Sequence, residues 1–277
     1  MEKTIIIIGA GLAGLSTGCF AQMNGYKTKI FELQANPGGV CTSWKRKGYT
    51  YDYAVHNVFG TTPNSFNNHL WLELGALDGR KTHSFKEFVQ VEENGKVFTV
   101  HTNLEELQKH MEQLAPQDKK LIEEFIKAAR KFSGYDLFAG LSGGIGTKLK
   151  MLPLIAYLKK YSQVTLKEYA DKFSDPFMKK AFATVQYDIP EVPTLIALIF
   201  LATLNQGDGG WPIGGSAALA KNIEKRYLSL GGEISYNLMV TKIIVRDNKA
   251  IGVELENGSQ HLADTVISDS RWLLHYF

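Results

Sequence analysis

The residues with the strongest potential for chemistry are three glycines and one carboxylate near the start of the chain. Gly9, Gly11 and Gly14 follow a run of four isoleucines, and Glu32 stands eighteen residues after Gly14, at the end of a second predicted strand. In this spacing the first glycine permits a tight turn, the second lets the backbone approach a pyrophosphate, and the third lets a helix pack closely on a sheet. A carboxylate in this place accepts hydrogen bonds from a ribose. The pattern predicts an adenine dinucleotide site.

A strand, a helix and a second strand are needed to position these residues. We predict strands at residues 5–8 and 28–31 and a helix over 12–24. The first N–H groups of such a helix are free to donate hydrogen bonds and carry a partial positive charge, and both properties favour a phosphate. The alternatives are a chance glycine-rich turn and a plain NAD-binding module. Gly38 and Gly39, which follow so soon after Glu32, disfavour both.

A substitution at Glu32 would test this placement of the dinucleotide. Because Glu32→Ala removes the partner of the ribose hydroxyls, we expect dinucleotide affinity to fall by roughly tenfold to a hundredfold. The carboxylate also repels a 2′-phosphate, so NADP is expected to bind poorly. Since Glu32 closes its strand on the side of the ligand, we expect stability without ligand to be almost unchanged.

Composition and charge exclude several classes of protein. The 277 residues suffice for about two domains, and a net charge of +3 gives no argument for nucleic acid. A secretory signal is not predicted, because three glycines at dinucleotide spacing interrupt the apolar start. No later segment reaches the roughly 18 to 20 apolar residues that cross a bilayer. Cys19 and Cys41 have no disulfide or metal-ligand spacing, which fits a reduced cytoplasmic protein.

The order of elements predicts a discontinuous dinucleotide domain. We assign residues 1–75 and 207–277 to this domain and residues 76–206 to an inserted domain. Asn94-Gly95 between two apolar-rich runs predicts a hairpin at the start of the insertion. Helices are predicted to begin near Asn103, Pro116, Pro153, Thr165 (with Glu168 as capping partner) and Asp175.

The last segment is predicted to return to the dinucleotide sheet. A helix over 216–230 leads into strands, with a hairpin before the last of them. The predicted strands are 233–236, 239–246, 250–256 and 265–268.

Several segments of the sequence resemble those of a known protein family. Gly9 to Leu15, Gly25-Tyr26, Phe31-Glu32 and Pro37 to Val40 resemble the FAD-binding signature of flavin amine oxidases, phytoene desaturases, carotenoid isomerases and retinol saturases. A further set of segments resembles the phytoene desaturase branch: Trp44 to Gly48 with Tyr51-Asp52, Leu72 to Ala76, Gly210 to Gly215, Leu230 to Ile234, Ala250 to Val253, Asn257-Gly258 and Ala263 to Ser268.

The resemblance implies an α/β fold, in which a Rossmann-like FAD-binding domain with a parallel sheet and helices carries an inserted, mainly helical α+β substrate domain. It implies FAD as cofactor and hydride transfer between the flavin and C–C bonds of an apolar isoprenoid or polyene. The cofactor contacts that it implies are Gly9, Gly11, Leu12, Ala13, Gly14, Glu32, Leu33, Gly38, Gly39, Val40, His56 and Val240.

The chain also departs from the family pattern. Val40 stands where the amine oxidase branch often has a basic residue. Family members are similar over a chain nearly twice this length, and nothing after Ser268 resembles their late glycine-rich segment. We therefore expect a truncated chain, and a catalytically inactive fragment that retains an ADP- or FAD-binding fold remains the alternative function.

Candidates for catalysis are few. His56 has the titration range of a general acid or base, with a structural hydrogen bond as the alternative. No nucleophile elbow or metal-spaced His/Cys cluster appears, so serine, cysteine and metal catalysis lack support. The apolar runs 151–157 and 192–204 predict a lining for a lipidic substrate or a peripheral membrane contact, with packed core helices as the alternative.

Overall fold

The structure, a computed structural model, describes residues 3–63, 65–135, 140 and 144–269. These residues form two compact units, each built from more than one segment of the chain. The first unit comprises the described residues within Met1–Asn57, His69–Thr82 and Trp211–Phe277, and the second those within Val58–Asn68 and His83–Gly210.

Strands and helices have the following bounds in the part of the chain that the structure describes. The strands are β1 (Thr4–Ile8), β2 (Lys27–Phe31), β3 (Ser43–Arg46), β4 (Tyr49–Asp52), β5 (Thr82–His83), β6 (Glu87–Glu93), β7 (Lys96–His101), β8 (Trp211–Pro212), β9 (Glu233–Ser235), β10 (Val240–Arg246), β11 (Lys249–Leu255), β12 (Gln260–Leu262) and β13 (Thr265–Ser268). The helices are α1 (Leu12–Met23), α2 (Phe66–Glu73), α3 (Leu104–Leu114), α4 (Lys119–Ser133), α5 (Ile145–Lys150), α6 (Ile155–Ser162), α7 (Leu166–Ala170), α8 (Pro176–Ala183), α9 (Thr194–Asn205) and α10 (Gly215–Ser229). Short 3-10 turns at Pro116–Asp118 and Leu152–Leu154 precede α4 and α6.

A four-stranded parallel sheet forms the centre of the first unit. Its order is β13-β1-β2-β9, and each neighbouring pair runs parallel. Ile7 in β1 lies opposite Ile267 of β13 and Ile30 of β2. All four isoleucines of β1 are buried, as is usual for the inner strands of a parallel sheet. The expected Rossmann-like fold is confirmed.

Tyr227 holds α10 against this sheet. A Cβ on Gly18 of α1 would lie 2.6 Å from the Tyr227 ring, so α1 and α10 approach closely only because residue 18 has no side chain. The Tyr227 hydroxyl donates to the Thr28 carbonyl of β2 at 3.0 Å. Burial raises the pKa of Tyr227 to about 12, so the phenol remains a donor at neutral pH. The tyrosine therefore joins α1, α10 and β2.

A second, antiparallel sheet of β10, β11 and β12 packs beside the first. We predicted a hairpin here, and the structure adds β12, which pairs with β11 across the turn at Asn257-Gly258. Phe31 at the end of β2 shares a buried cluster with Val240, Val253 and Leu255. This packing fixes the start of β10 next to the end of β2.

The second unit begins with the predicted hairpin. Strands β6 and β7 pair antiparallel, and Asn94 and Gly95 connect them with φ values of 52° and 77°. Two successive positive φ angles are typical of a type I′ turn, which matches the twist of the strands. The hairpin prediction is confirmed.

Three of the predicted helix starts are confirmed, and near Pro116 and Pro153 a 3-10 turn precedes the α-helix. Asn103 accepts the N–H groups at the start of α3, and Thr165 and Glu168 form a capping box on α7. Asp175 caps α8, whose first residue is Pro176. Each start is determined by residues within one turn, and for this reason the sequence predicts it well.

The apolar run 192–204 forms α9, which contributes Ala197, Leu198, Leu201 and Ala202 to one buried core with helices α3, α4, α6, α7 and α8. The packed-helix alternative therefore describes most of this run. Among the described residues, no helix combines the length and the apolar character needed to span a bilayer.

Candidate dinucleotide-binding site

The glycine turn between β1 and α1 is tight. Gly9 has a φ of 100°, a conformation that favours glycine, and its N–H donates to the carbonyl of Phe31 at 2.8 Å. Gly11 precedes α1 in an extended conformation. A Cβ on Gly14 would overlap the Gly9 carbonyl oxygen. The turn thus brings the N-terminus of α1 to the carboxyl ends of β1 and β2.

A second glycine pair packs on this turn. The N–H of Gly38 donates to the Ala10 carbonyl at 2.7 Å, and Gly38 forms an isolated parallel bridge with Gly11. A Cβ on Gly39 would lie 3.4 Å from the Cα of Gly11. Gly11, Gly38 and Gly39 therefore place no side chains of their own on this part of the turn.

A cavity of about 410 Å³ opens beside the turn. Ligand sites commonly measure about 300 to 1,000 Å³. In open parallel sheets, ligands bind at the carboxyl ends of the strands, which is where this cavity lies. The described residues that line it are Ile8, Gly9, Gly11, Phe31, Glu32, Leu33, Gln34, Gly39, Leu238, Met239, Val240, Thr241 and Asp269.

Glu32 lies at the end of β2 and lines this cavity. Its Oε2 accepts the N–H of Ala10 at 2.6 Å, and its Oε1 accepts the N–H of Gln34 at 2.7 Å. Each carboxylate oxygen has two lone pairs, so both oxygens can accept a ribose hydroxyl in addition. The side chain is 7% exposed and has two roles: it fixes the backbone after β2 and it faces the cavity.

The expectation that Glu32→Ala leaves the ligand-free protein unaffected therefore needs correction. The substitution would deprive the buried Ala10 of the acceptor for its N–H. A buried donor without a partner costs about 1 to 3 kcal/mol. Spacing in the sequence does not reveal which backbone donors surround a side chain.

Residues 238–241 form another side of the cavity. The N–H of Leu238 donates to the Glu32 carbonyl at 3.0 Å. Val240, expected from the resemblance, lines the cavity, and three neighbours were not identified from the sequence: Leu238, Met239 and Thr241. Their position in the sequence could have indicated them, because they follow β9, a strand of the parallel sheet.

Asp269 brings a second carboxylate to the cavity and was not identified from the sequence. Its Oδ2 accepts the N–H of Gly14 at 2.9 Å, and its own N–H donates to the Ile8 carbonyl at 2.9 Å. No side chain at Gly11 caps α1. Asp269 therefore supplies an N-terminal cap from a distant part of the chain. Its position in the sequence could have indicated it, because it directly follows a strand predicted to return to the dinucleotide sheet.

Other residues expected to contact the cofactor lie outside this cavity. Leu12 and Ala13 belong to the first turn of α1, whereas Gly14 and Gly38 shape the glycine turn. Val40 is 70% exposed. His56, expected both as a cofactor contact and as an acid or base, is exposed in a bend and does not line the cavity.

The two thiols are packing groups. Cys41 is buried and donates to the Ser216 carbonyl at 3.3 Å, and burial raises its pKa to about 11. Burial likewise raises the pKa of Cys19 to about 11. Both are neutral near pH 7, a state unsuited to nucleophilic attack. Across the described parts of the chain, no three His, Cys, Asp or Glu side chains group to hold a metal.

A protein-family model matches the N-terminal part of the chain, which supplies one side of this cavity. The model describes an NAD(P)-binding Rossmann-like domain and covers residues 7–73. The match includes the glycine turn, Glu32 and the Gly38-Gly39 pair. A dinucleotide-binding type of domain is thus indicated by the sequence match and the geometry together.

Two curated relatives match nearly all of the chain. Phytoene desaturase (lycopene-forming) of Pantoea ananas is 27% identical over 282 residues, which cover 97% of this chain and 56% of that protein. Chloroplastic prolycopene isomerase of Daucus carota is 27% identical over 296 residues, which cover 98% of this chain and 46% of that protein. The resemblance to this group is confirmed, and the chain spans about half the length of the curated relatives it matches.

A solved structure shares the fold. The Rab GDI of Plasmodium falciparum superposes with a TM-score of 0.61 at 13% identity, covering 99% of this chain and 66% of that chain. At this identity the likeness concerns the fold alone, and a fold alone does not determine a reaction.

Proposed function

We propose that this chain binds FAD, with the ADP half in the cavity between the glycine turn and residues 238–241. The observation that carries the proposal is the juxtaposition of the side-chain-free backbone of Gly11, the N-terminus of α1 and the carboxylate of Glu32 at one cavity. FAD is preferred to NAD because the signature continues through Gly38-Gly39, which packs on the same turn.

The residues of the chain would bind and orient the adenosine half. Glu32 accepts ribose hydroxyls through the lone pairs that its two backbone donors leave available. Gly11 and Gly39 let the phosphates approach the backbone. Apolar side chains suited to an adenine ring complete the wall: Ile8, Phe31, Leu33, Leu238 and Val240.

The reaction that we propose is that of an oxidoreductase of the phytoene desaturase type, acting on C–C bonds of an apolar isoprenoid or polyene. FAD, when bound, supplies the redox centre for hydride transfer, and the protein supplies orientation and exclusion of water. The names of the matched relatives, a phytoene desaturase and a prolycopene isomerase, support this substrate class. His56 remains a prediction as acid or base.

A chain that binds ADP or FAD without turnover is the second candidate. The observation that favours it is the share of the relatives' length, about half, that this chain spans. Turnover of an apolar polyene by the purified 277-residue chain would exclude it. Binding of ADP-ribose without flavin reduction by any donor would support it.

FAD titration tests the proposal, with Gly11→Val as the variant. The extended backbone at residue 11 suits valine, but its Cβ would lie 2.6 Å from Oδ2 of Asp269, so this carboxylate must shift and its hydrogen bond to Gly14 is weakened. We expect a folded variant that no longer takes up FAD, since the valine side chain blocks the pyrophosphate. The readouts are flavin absorbance and circular dichroism.

Gly146→Val is the matched control, because a Cβ at Gly146 in α5 meets nothing within 4 Å. It should bind FAD as the wild type does. A folded, colourless wild-type protein that takes up neither FAD nor ADP would contradict the proposal.

We also propose that the second unit contacts an anionic lipid surface, from which an apolar substrate would enter. Four apolar side chains between residues 145 and 155 are more than half exposed: Ile145, Leu149, Leu152 and Ile155. Residues 144–162 contain four lysines and no Asp or Glu, and one of the four, Lys160, is ion-paired with Glu124 of α4 at 2.7 Å. Exposed apolar side chains beside lysines are the chemistry of a peripheral contact with anionic lipid. We call residues 145–160 the basic apolar patch.

A further inference from the structure

Asp269 lies where the glycine spacing provides for a phosphate. Its Oδ2 accepts the N–H of Gly14 at 2.9 Å, a donor in the first turn of α1. The position of a Cβ on Gly11 is 2.6 Å from the same oxygen, so the carboxylate rests against the backbone of Gly11. A helix N-terminus and a bare Gly11 backbone are the two features that a dinucleotide pyrophosphate uses. A side chain of the protein already contacts both.

The charges of the cavity make this contact unfavourable for an anionic ligand. Among the described lining residues, Glu32 and Asp269 are acidic and none is Lys, Arg or His. Glu32 lies at the end of β2, where a ribose offers neutral hydroxyl donors, so its charge favours binding. Asp269 lies on the side of α1, where the phosphates bring negative charge. The charge of Glu32 therefore favours binding of a dinucleotide, whereas the charge of Asp269 opposes it.

We propose that Asp269 determines the affinity of the dinucleotide site, because its carboxylate competes with the pyrophosphate for the N-terminus of α1. The inference rests on the proposed binding of the ADP half in this cavity. The hydrogen bond between Asp269 and Gly14 must be exchanged for one between phosphate and Gly14, so part of the free energy gained from the phosphate is offset. A ligand without phosphate has no such exchange to make.

Asp269→Asn tests the proposal with ADP and adenosine as probes. Asparagine keeps the size of the side chain and an oxygen for the Gly14 N–H but removes the charge. We expect ADP affinity to rise about fivefold, the change that corresponds to the repulsion of two unit charges about 4 Å apart in water. Adenosine affinity should be equal in both proteins. Isothermal titration calorimetry on the full chain measures both.

Asp264→Asn is the matched control. Asp264 is exposed, lies just before β13 and accepts the N–H of Thr4 at 2.8 Å, outside the cavity. It removes the same charge from the same region of the chain, so ADP affinity should remain that of the wild type. If Asp269→Asn fails to fold, Asp269→Ser, which retains a short hydroxyl acceptor, takes its place with the same expected rise.

The outcomes separate this inference from the proposed function. If the wild type binds ADP and Asp269→Asn binds it equally or more weakly, the inference is wrong and the charge of Asp269 does not oppose the ligand. If Asp264→Asn raises ADP affinity as much, the effect is one of general charge and the inference is also wrong. If neither folded protein binds ADP or FAD, the proposed function fails together with the inference.

Discussion

At the scale of single residues, the backbone donors around a carboxylate decide what it does. Glu32 accepts two N–H groups from either side of the chain, at Ala10 and Gln34, and is buried. Asp269 accepts one N–H, from Gly14, and is exposed on its other side. Loss of Glu32 is therefore expected to affect both folding and binding, whereas loss of the Asp269 charge affects mainly the ligand.

Glu32→Ala is expected to weaken ADP binding by roughly tenfold to a hundredfold, because hydrogen bonds to a charged acceptor contribute about 1.5 to 3 kcal/mol. We also expect the ligand-free protein to lose about 1 to 3 kcal/mol of unfolding free energy, since the Ala10 N–H loses its partner. Calorimetric titration and urea unfolding measure the two effects separately.

Glu233→Ala provides the control for Glu32→Ala. Glu233 lies on the neighbouring strand β9, and its carboxylate is 3.5 Å from the Lys29 ammonium with an exposed side chain. Exposed ion pairs contribute little, so both readouts should stay near the wild type. Unchanged ADP affinity in Glu32→Ala would contradict the position of the ribose, and unchanged stability would contradict the role of the Ala10 bond.

At the scale of elements, the sequence predicted the caps and turns whose geometry depends on residues close together in the chain. The cap at Asn103 and the turn at Asn94-Gly95 are local, and both are confirmed. The sequence did not predict β12, which has only three residues and depends on pairing with β11. Asp269 was missed for the same physical reason, because its partner Gly14 is 255 residues away.

His110 links two elements of the second unit and gives a pH prediction. Its Nε2 accepts the N–H of Thr99 in β7 at 3.0 Å, and its ring stacks on Phe98. Burial, followed by repulsion from His101, lowers the pKa of His110, whereas a hydrogen bond to the Val97 carbonyl opposes the shift. The folded state thus favours the neutral ring, which alone can accept the Thr99 N–H.

Because the pKa of His110 is lower in the folded chain, the unfolded chain binds a proton first as pH falls. The stabilisation is therefore complete above the unfolded value of about 6.5 and is lost as pH falls below it. His110→Gln, which keeps an acceptor, should lose less unfolding free energy than the wild type between about pH 7.5 and about pH 5.5. Urea unfolding at both pH values measures the difference.

The exposed neighbour Lys109→Gln serves as a control on α3 and should show the wild-type loss over this pH interval. An equal loss in His110→Gln and in the wild type would show that protonation of His110 does not affect folding.

At the scale of the whole molecule, burial rather than composition separates two similar apolar runs. From the sequence, both runs, 151–157 and 192–204, could be either core helices or a surface for lipid. The second forms α9 in the core of the second unit, whereas Leu152 and Ile155 of the first are 55% and 54% exposed. Periodicity records which residues are apolar but not whether another element covers them, so only the structure distinguishes the two.

Positive charge is concentrated in one segment of the chain, although the net charge is small. The net charge of +3 gives no reason to expect an anionic partner, yet residues 144–162 carry four lysines without an acidic residue. Each lysine near an anionic membrane contributes about 1 kcal/mol, and this attraction falls off within a Debye length. Apolar side chains that enter the lipid interface add about 0.8 kcal/mol for each buried CH₂ group.

The basic apolar patch is expected to bind vesicles of phosphatidylserine and phosphatidylcholine more tightly than vesicles of phosphatidylcholine alone. Leu149→Ser with Ile155→Ser should reduce binding to the anionic vesicles by at least about tenfold, because several CH₂ groups no longer enter the interface. Lys148→Gln with Lys150→Gln should also reduce it by about tenfold and should lower its salt dependence. Co-sedimentation at increasing lipid concentration measures all three proteins.

Leu262→Ser separates the patch from exposed apolar surface in general. Leu262 is 69% exposed in β12 of the first unit and has no part in the patch. If the patch is the lipid contact, this variant sediments with vesicles as the wild type does, while the two patch variants do not. If Leu262→Ser lowers binding as much as Leu149→Ser with Ile155→Ser, the interaction is a non-specific one of exposed apolar side chains. If no protein sediments with anionic vesicles, the proposed lipid contact of this patch is wrong.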